Sequence, residues 1–329
     1  MKKTELHLGP FQGITDVHFR NVFADHFEGI DKFFTPFFSG IHTENSKNLR
    51  TQEIAPATNN IHNLVPQLLS NDPDEIIRFS EQCAKLGYKE VNLNMGCPYP
   101  QVARKKRGSG LMPYSDLVAK IAQGTAGNFK TDFSIKCRLG YYGSNEIDEL
   151  IPIFEQMQLS ELIVHARLGT QMYGGKPDHE KFANIVSNYT GSIVYNGDIF
   201  NLTDYTLLGT RFPQVSKWML GRGILADPFL AADIKAIALN DYSIRKDIVY
   251  RFIMQLYLTR RKAKADNPAV IGRMKELWSY LSLSFSEPTL AWRLIRRSTD
   301  FEKYEEAVAQ VFKNQSWIGA GFTSSGKMY

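Results

Sequence analysis

Two kinds of segment alternate over the first 225 residues of the chain. Short runs rich in β-branched and aromatic residues are followed by longer stretches whose apolar residues recur at helical spacing. This alternation is typical of parallel strands joined by crossover helices. The predicted strands lie at 6–8, 32–38, 63–67, 91–95, 133–138, 161–166, 192–196 and 217–220. Eight such units predict a (β/α)8 TIM barrel, in which a parallel sheet closes on itself.

Helix start signals stand between the predicted strands. Ser, Thr or Asp before an apolar run, with Pro at the first helical position, marks a helix N-terminus. The predicted helices open at 15–16, span 72–85, open at 115–116, span 146–157 and begin after Asp178. An open dinucleotide-binding sheet would need a glycine-rich turn after its first strand, whereas the turn here reads GPFQG. The closed barrel is therefore favoured.

The pattern changes after Gly223. Strand-like runs largely stop, and 245–265, 268–285 and 302–314 have helical spacing with Arg and Lys on the polar side. A small C-terminal helical bundle is the simplest interpretation, with a barrel domain at 1–235 and a helical domain at 236–329. Residues 241–329 hold 15 Lys and Arg against 9 Asp and Glu, although the whole chain carries only +5. This excess predicts a polyanionic partner for the helical domain.

The composition excludes several other classes. Apolar residues make up 43% and charged residues 22%, so a disordered, collagenous or coiled-coil chain is not expected. No stretch approaches the roughly 18 apolar residues of a membrane span, and no apolar segment follows the lysines near the N-terminus. The three cysteines form no CxxC pair and fit neither a disulfide framework nor a zinc ribbon. We therefore expect a cytoplasmic protein without membrane, metal or obligate protein partner.

Polar residues collect where the predicted strands end, which is where barrel enzymes build their active sites. Lys136 within FSIKCR and His165 within LIVHA need partners, because polar groups in apolar strands are costly to bury. Each alone is as consistent with a satisfied core group as with a ligand contact. Together with their neighbours they predict an active site. The cluster contains Pro10, Phe11, Gln12, Gln67, Asn94, Cys97, Lys136, Arg138, His165, Arg167, Asn196, Gly197, Asp198, Gly221 and Arg222.

Two glycine turns follow strands seven and eight. Barrels commonly bind phosphate there through backbone N–H groups, and the turns read NGD at 196–198 and GRG at 221–223. Arg222 can add a charge-assisted fork. Either turn alone is an ordinary turn, but the pair predicts an anion site.

Cys97 lies in the turn NMGCP just past a buried strand. A thiol with its ordinary pKa of about 8.5 stays protonated at neutral pH and can act as a general acid. The basic run at 104–107 follows. Such a run is either a solvated surface or a contact for a polyanionic substrate.

Six segments together carry a resemblance. They lie within about residues 8–230 and read VNLNMGCPYPQV, GSGLM, SIKCRLG, VHARLGTQMYGGKPD, YNGDI and MLGRGILADP. Together these segments resemble the tRNA-dihydrouridine synthase family. The C-terminal part is similar to that family's helical RNA-binding domain. The resemblance implies a barrel that holds FMN, is reduced by NADPH or NADH, and saturates the C5=C6 bond of uridines in tRNA.

The resemblance also implies roles for individual residues. Cys97 is the proton donor to uracil C5, while the reduced FMN gives hydride from N5 to C6. Lys136 lies against the N1/O2 edge of the flavin, and Asn94 faces the target base. Contacts to the isoalloxazine are implied for Pro10, Phe11, Gln12 and Gln67. Binding of the ribityl phosphate is implied for Asn196, Gly197, Asp198, Gly221 and Arg222, and His165 is implied to lie near that phosphate.

Basic residues are expected to hold the tRNA. Arg138 and Arg167 are candidates near the target base, and Arg104 and Lys105 on the loop after Cys97. Arg293 and Arg297 lie four residues apart, so at helical spacing they share a face that can meet phosphates.

Three other functions fit part of the sequence. A barrel reductase of a free pyrimidine, resembling dihydroorotate dehydrogenases, would not require the basic helical part. A Schiff-base aldolase with Lys136 as nucleophile would leave Cys97 unexplained. A noncatalytic RNA-binding barrel would have no need of the thiol, the lysine and the phosphate turns together.

Overall fold

The computed structural model describes residues 3–43, 52–59 and 62–319. The chain groups into two compact units. The first comprises Met1–Pro10, Asp31–Gly197 and Phe212–Met219, and the second comprises Phe11–Ile30, Asp198–Arg211 and Leu220–Tyr329. The domain boundary expected after residue 235 stays a prediction.

The strands of the described chain form one sheet whose paired strands run parallel. The strands are β1 (Glu5–Leu8), β2 (Lys32–Phe34), β3 (Leu64–Val65), β4 (Gln67–Leu68), β5 (Glu90–Met95), β6 (Asp132–Gly140), β7 (Leu162–Leu168), β8 (Ile193–Asn196) and β9 (Lys217–Leu220). Their order in the sheet is β3-β2-β1-β9-β8-β7-β6-β5-β4.

Pro66 divides the third predicted strand into β3 and β4, because proline has no N–H to donate to a neighbouring strand. β3 pairs with β2, and β4 pairs with β5. The two ends of the sheet order are therefore consecutive parts of one stretch of chain, and the sheet closes into a barrel with eight strand positions. The predicted (β/α)8 TIM barrel is confirmed, and each predicted strand is present.

The helices of the described chain follow the strands as expected. They are α1 (Val17–His26), α2 (Pro73–Lys85), α3 (Pro100–Ala103), α4 (Ser115–Thr125), α5 (Glu146–Gln156), α6 (His179–Asn188), α7 (Leu202–Arg211), α8 (Arg222–Ala226), α9 (Leu230–Ile234), α10 (Tyr242–Ala263), α11 (Ala269–Leu281), α12 (Pro288–Arg297) and α13 (Phe301–Asn314). Asp16, Asp72 and Asp178 cap α1, α2 and α6 by accepting N–H groups of the first turn, as their start signals predicted.

An apolar cluster lies inside the barrel. Phe34, Val65, Ile163, Val194 and Met219 form one buried cluster contributed by strands around the sheet. Side chains of this kind fill the centre of a TIM barrel, so the barrel is a packed core and function is left to its ends.

Helices α10 to α13 make up most of the C-terminal part of the second unit, as the sequence predicted. Trp278 of α11 donates its indole N–H to the Tyr304 hydroxyl of α13 at 3.0 Å, and both side chains are fully buried. Phe285 stacks on Trp278 with ring centroids 5.8 Å apart. Among the described helices, none is long and apolar enough to cross a membrane.

Charged side chains close the amino-terminal end of the barrel. Glu161, which is 1% exposed, accepts from Lys32 at 3.0 Å and from Lys217 at 2.5 Å. His7 is fully buried, and its Nε2 lies 2.9 Å from Glu5 Oε1. The hydrogen bond with His7 lowers the pKa of Glu5 to about 2, and the Lys217 and Lys32 charges add to the effect while burial opposes it.

This shift predicts an acid-sensitive stability contribution from Glu5. A carboxyl whose pKa is lowered in the folded state stabilises the fold above its unfolded pKa, here 4.5, and loses that contribution as the pH falls toward about 2. We expect Glu5→Gln to lower the free energy of unfolding at pH 7, because the variant loses this contribution. The loss should be only about 1 kcal/mol, since solvent screens the charge of a partly exposed carboxylate. Urea unfolding from pH 7 to pH 3 should show the difference shrinking with acidification. An equal difference at every pH would contradict the assignment.

Candidate active site

The register of the strands places several polar side chains side by side at the carboxyl ends of β5 to β8. Asn94 pairs with Lys136, and Arg138 pairs with His165. His165 pairs in turn with Asn196 on β8. Paired residues, and residues two apart on one strand, project to the same face of a sheet. The fold therefore brings together these five residues predicted for the rim.

Cys97 lies in a short loop after β5 that is fixed at both ends. The Asn94 side-chain oxygen accepts the Gly96 N–H at 3.0 Å and the Cys97 N–H at 2.9 Å. The Cys97 carbonyl accepts the N–H and the hydroxyl of Ser109, both at 3.0 Å. Gly108 has a φ of +59°, and a Cβ there would stand 2.6 Å from the Cys97 carbonyl oxygen, so glycine is required. The hydrogen bonds hold the backbone of Cys97 in one place.

Asn94, which binds this loop, is itself held by a chain of hydrogen-bonded side chains. Gln67 donates to Asn92 at 2.8 Å and accepts from Asn94 at 2.7 Å, and Asn92 donates to the Ser134 hydroxyl at 2.9 Å. All four side chains are buried and satisfied by one another. Asn94 therefore positions Cys97 directly. The flavin contact expected of Gln67 and the base contact expected of Asn94 stay predictions.

Lys136 is half-buried on β6 and has no anionic neighbour of its own. Among the residues that the structure describes, none forms a hydrogen bond or ion pair with its ammonium. Burial and the neighbouring Arg138 charge lower the pKa of Lys136 to about 8. An unpaired cation at this place fits a ligand that presents negative charge, and the N1/O2 edge of a reduced flavin does so. The residues present are thus compatible with the cofactor that the sequence predicted.

The electrostatics of Cys97 favour a protonated thiol. Burial raises the pKa of Cys97, and the Tyr99 backbone hydrogen bond and the positive charges of Arg138 and Lys136 do not cancel this effect. A thiol that stays protonated at neutral pH is a proton donor, whereas a nucleophilic cysteine needs a lowered pKa. The structure therefore favours an acid at this position.

The two arginines expected near the target base bind backbone carbonyls of the rim loops. Arg138 is buried and donates to Gly96 at 3.0 Å and to Leu168 at 2.7 Å. Arg167, also buried, donates to Gly174 at 3.2 Å and to Gly175 at 2.8 Å. Both side chains therefore hold the loops after β5 and β7, and a direct contact with the base stays a prediction for each.

His165 contacts two side chains of the same rim. It lies 3.3 Å from the Arg167 guanidinium and 6.4 Å between ring centroids from Tyr173. Tyr173 also lies under Arg138, 5.7 Å from its guanidinium carbon. Sequence reasoning did not single out Tyr173, although an aromatic residue in the loop after a rim strand was the available signal.

Arg222 and Asp198, two of the residues expected to grip phosphate, form an ion pair within the second unit. The guanidinium donates to the carboxylate at 2.7 Å and lies 5.1 Å from the Phe200 ring centroid. Gly223 is required beside them, because a Cβ there would stand 2.1 Å from the Ile199 carbonyl oxygen. In the first unit, Asn196 donates to the Met219 carbonyl at 2.9 Å. The phosphate-binding roles of Asn196, Gly197, Asp198, Gly221 and Arg222 stay predictions.

The turn after β1 has mixed exposure. Pro10 and Phe11 are half-buried, and Gln12 is exposed. Within the second unit, the Phe11 ring contacts Tyr280 of α11 edge-on at 6.1 Å and lies within 3.5 Å of the position that a Cβ on Gly221 would take. Their contacts to a flavin stay predictions, and Tyr280 is an addition that the sequence did not suggest.

The basic residues expected to hold tRNA are on the surface. Arg104 and Lys105 are exposed just after α3, and Arg293 and Arg297 are exposed on α12. Ala291 and Ile295 form the buried side of α12, so the arginines lie on its solvent side. The shared face predicted for Arg293 and Arg297 is present, and their contact with tRNA stays a prediction.

A parallel barrel with its polar side chains gathered at the carboxyl ends of the strands defines a (β/α)8-barrel enzyme. The solved structure of morphinone reductase in complex with tetrahydroNAD has a similar fold, with a TM-score of 0.51 and 8% identity over 72% of this chain and 88% of that chain. Residues 7–312 match the family model for dihydrouridine synthase (Dus). The chain belongs to the dihydrouridine synthase family.

Individual relatives agree with this assignment. A probable tRNA-dihydrouridine synthase of Staphylococcus aureus (strain Mu50) is 34% identical over 237 residues, covering 68% of this chain and 69% of the relative. The tRNA-dihydrouridine synthase B of Pasteurella multocida is 28% identical over 73% of this chain and 71% of the relative. The tRNA-dihydrouridine(16) synthase of Neisseria meningitidis serogroup B is 24% identical over 94% of this chain and 95% of the relative. The family resemblance predicted from the motifs is confirmed.

Proposed function

We propose that this protein reduces uridine in tRNA to 5,6-dihydrouridine, with FMN as its cofactor and NADPH as the reductant. The observation that carries the proposal is the position of a buried thiol, in the loop that follows β5, near an unpaired cation on the adjoining strand β6. Asn94 and Ser109 hold the Cys97 loop, and Asn94 pairs in register with Lys136. A thiol acid can supply the proton, and a cation can stabilise the reduced flavin, in the reduction of a C=C bond.

The chain's own residues would act at both ends of the reduction. When bound, a flavin would supply the hydride chemistry between the pyridine nucleotide and uracil C6. Cys97 donates its Sγ proton to C5, so that one hydride and one proton together saturate the bond. Lys136 balances negative charge on the ring, and Arg222 is proposed to hold the ribityl phosphate. The fixed loop keeps the thiol in position throughout, which lowers the entropic part of the barrier.

The rival functions fit the site less well. The lowered pKa of Lys136 would also suit a Schiff-base lysine, but an aldolase gives no role to the buried Cys97 acid. A reductase of a free pyrimidine gives no role to the exposed arginines of α12. A noncatalytic RNA-binding protein would have no need of Lys136, a lysine without an ion-pair partner among the described residues at the carboxyl ends of the strands. Membership in the dihydrouridine synthase family favours the tRNA substrate over all three.

The decisive test is conversion of an unmodified tRNA transcript. Purified protein with FMN and NADPH should add two hydrogen atoms to specific uridines, detected by mass spectrometry of nuclease digests, and should leave free uridine unreacted. Reduction of free uridine at a comparable rate would favour the small-molecule reductase. NADPH oxidation without any change in tRNA would contradict the proposal.

Position 16 is the first tRNA position to assay. The N. meningitidis relative named for that position matches over 94% of this chain, including the helical C-terminal part, whereas the S. aureus match covers 68%. The uridine that is reduced depends on how the whole tRNA docks, so a relative that also matches the helical part is the most informative about its position.

We also propose the cytoplasm as the compartment, since tRNA and pyridine nucleotides are both present there.

The cofactor proposal makes its own prediction. We expect one noncovalent FMN per chain, released by acid with a flavin absorption band. Lys136→Met should weaken FMN binding by about tenfold or more, because a hydrogen bond to a charged group contributes about 1.5–3 kcal/mol. Lys120→Met, which changes an exposed lysine of α4, is the matched control. A folded wild-type protein that takes up no FMN in equilibrium dialysis would refute the proposal.

A further inference from the structure

Tyr142 is an exposed aromatic side chain at the active rim. It follows β6, the strand that carries Lys136 and Arg138, and it is 70% exposed. Among the described residues, no other large apolar or aromatic side chain is more exposed. Single exposed apolar residues are common on protein surfaces, so exposure alone assigns no role.

The loop that presents Tyr142 is rigidly built. The Glu146 carboxylate accepts three consecutive backbone N–H groups, from Tyr141 at 2.7 Å, Tyr142 at 2.8 Å and Gly143 at 2.8 Å. Charge-assisted hydrogen bonds of this kind are stronger than neutral ones. An ordinary solvated turn does not need three of them. The backbone that presents the ring to solvent is therefore fixed, and little backbone entropy remains to be lost on binding.

Tyr141 connects this loop to the Cys97 loop through packed neighbours. A Cβ on Gly169 would stand 2.3 Å from the Tyr141 ring and 2.7 Å from the Ser109 hydroxyl, so the three residues are in close contact. Ser109 donates to the Cys97 carbonyl. The Tyr142 ring lies edge to face on Tyr141, with centroids 4.7 Å apart. Tyr141 and Gly169 thus lie between the exposed ring and Ser109, which donates to the Cys97 carbonyl.

A nucleobase is the ligand that this arrangement fits. Single-stranded RNA is recognised largely by stacking unpaired bases on aromatic side chains. A uridine that enters a barrel mouth must leave its stack, and its neighbours lose a stacking partner with it. A rigid aromatic ring beside the mouth can replace that partner.

We propose that Tyr142 stacks on a nucleotide base flanking the uridine that is reduced, and so helps to hold the extruded conformation of the RNA. The proposal rests on the tRNA substrate proposed above and names one contact that this substrate makes. Tyr142 is a substrate-binding residue in this account and takes no part in hydride or proton transfer.

The test compares Tyr142→Ala with Tyr142→Phe. Loss of the ring should weaken tRNA binding about tenfold, while the phenylalanine variant should bind within about twofold of wild type, because stacking needs the ring and not the hydroxyl. FMN content and NADPH oxidation without tRNA should be unchanged in both. Leu207→Ala, which removes an exposed apolar side chain of α7 outside the helical domain, is the control. Equal losses in Tyr142→Ala and Tyr142→Phe would overturn stacking.

The fluorescence of a base analogue reports stacking directly, and it would not change if Tyr142 only stabilised the protein. 2-Aminopurine placed next to the uridine that the wild type reduces should be quenched on binding to wild type and Tyr142→Phe, and not on binding to Tyr142→Ala. Glu146→Gln keeps the ring but weakens its anchor, and should give an intermediate loss. Wild-type affinity and quenching in Tyr142→Ala, with tRNA still reduced by the wild type, would overturn this inference alone. Absence of dihydrouridine from the wild-type reaction would overturn the proposed function instead.

Discussion

Replacing Cys97 with alanine is expected to slow uridine reduction by about 10²- to 10⁴-fold, the usual contribution of general acid catalysis. Burial raises the pKa of the thiol, so loss of its proton should slow the wild type only at alkaline pH. The variant should lack this part of the decline, whereas loss of the Lys136 charge, whose pKa is lowered to about 8, should affect both proteins alike. Single-turnover reduction of tRNA by pre-reduced enzyme, measured from pH 6 to pH 10, would show both effects.

The same variant should leave the other half of the reaction intact. FMN content and flavin reduction by NADPH depend on groups other than the thiol, and both should match the wild type. Cys83→Ala is the control, because Cys83 is a fully buried thiol on α2 away from the rim strands. Near-normal tRNA reduction by Cys97→Ala would exclude the thiol as the acid, and a variant without flavin would call for measurement after FMN reconstitution.

The strands could be predicted from the sequence because their signals are local. Eight apolar runs with helix start signals between them leave few folds other than a closed parallel barrel. The interruption of the third strand at Pro66 was visible as a residue type, yet its consequence depends on both neighbouring strands. Short helices such as α8 and α9 were missed, because segments of five residues carry too little periodicity.

The candidate site could be predicted in its members but not in its contacts. Cys97 and Lys136 are marked by residue type and by position at strand ends. That Ser109 holds the Cys97 carbonyl, or that Arg138 binds Gly96, depends on packing between segments distant in sequence. Arg138 and Arg167 show the limit most clearly, since a buried arginine that binds loop carbonyls and one that binds substrate look alike in sequence.

The arginines of α12 are expected to hold tRNA through its phosphates. Arg293 and Arg297 are exposed four residues apart, on the side of the helix opposite Ala291 and Ile295. Extrusion of a uridine costs a few kcal/mol of stacking, and phosphate contacts can offset it. We expect Arg293→Ala/Arg297→Ala to weaken tRNA binding by about 10- to 100-fold at low salt. FMN content and NADPH oxidation should not change.

The salt dependence of binding separates lost phosphate contacts from a damaged fold. Each phosphate contact contributes about 0.9 to the slope of log K against log salt for a B-form duplex, or about 0.7 for single strands. Loss of two contacts should therefore make the slope of the double variant shallower by about 1.4–1.8. Lys85→Ala/Lys120→Ala removes the same charge from exposed positions on α2 and α4 and should keep the wild-type slope. Equal slopes in wild type and Arg293→Ala/Arg297→Ala would show that tRNA does not bind this face, because an affinity lost by misfolding leaves the number of released counterions per bound complex unchanged.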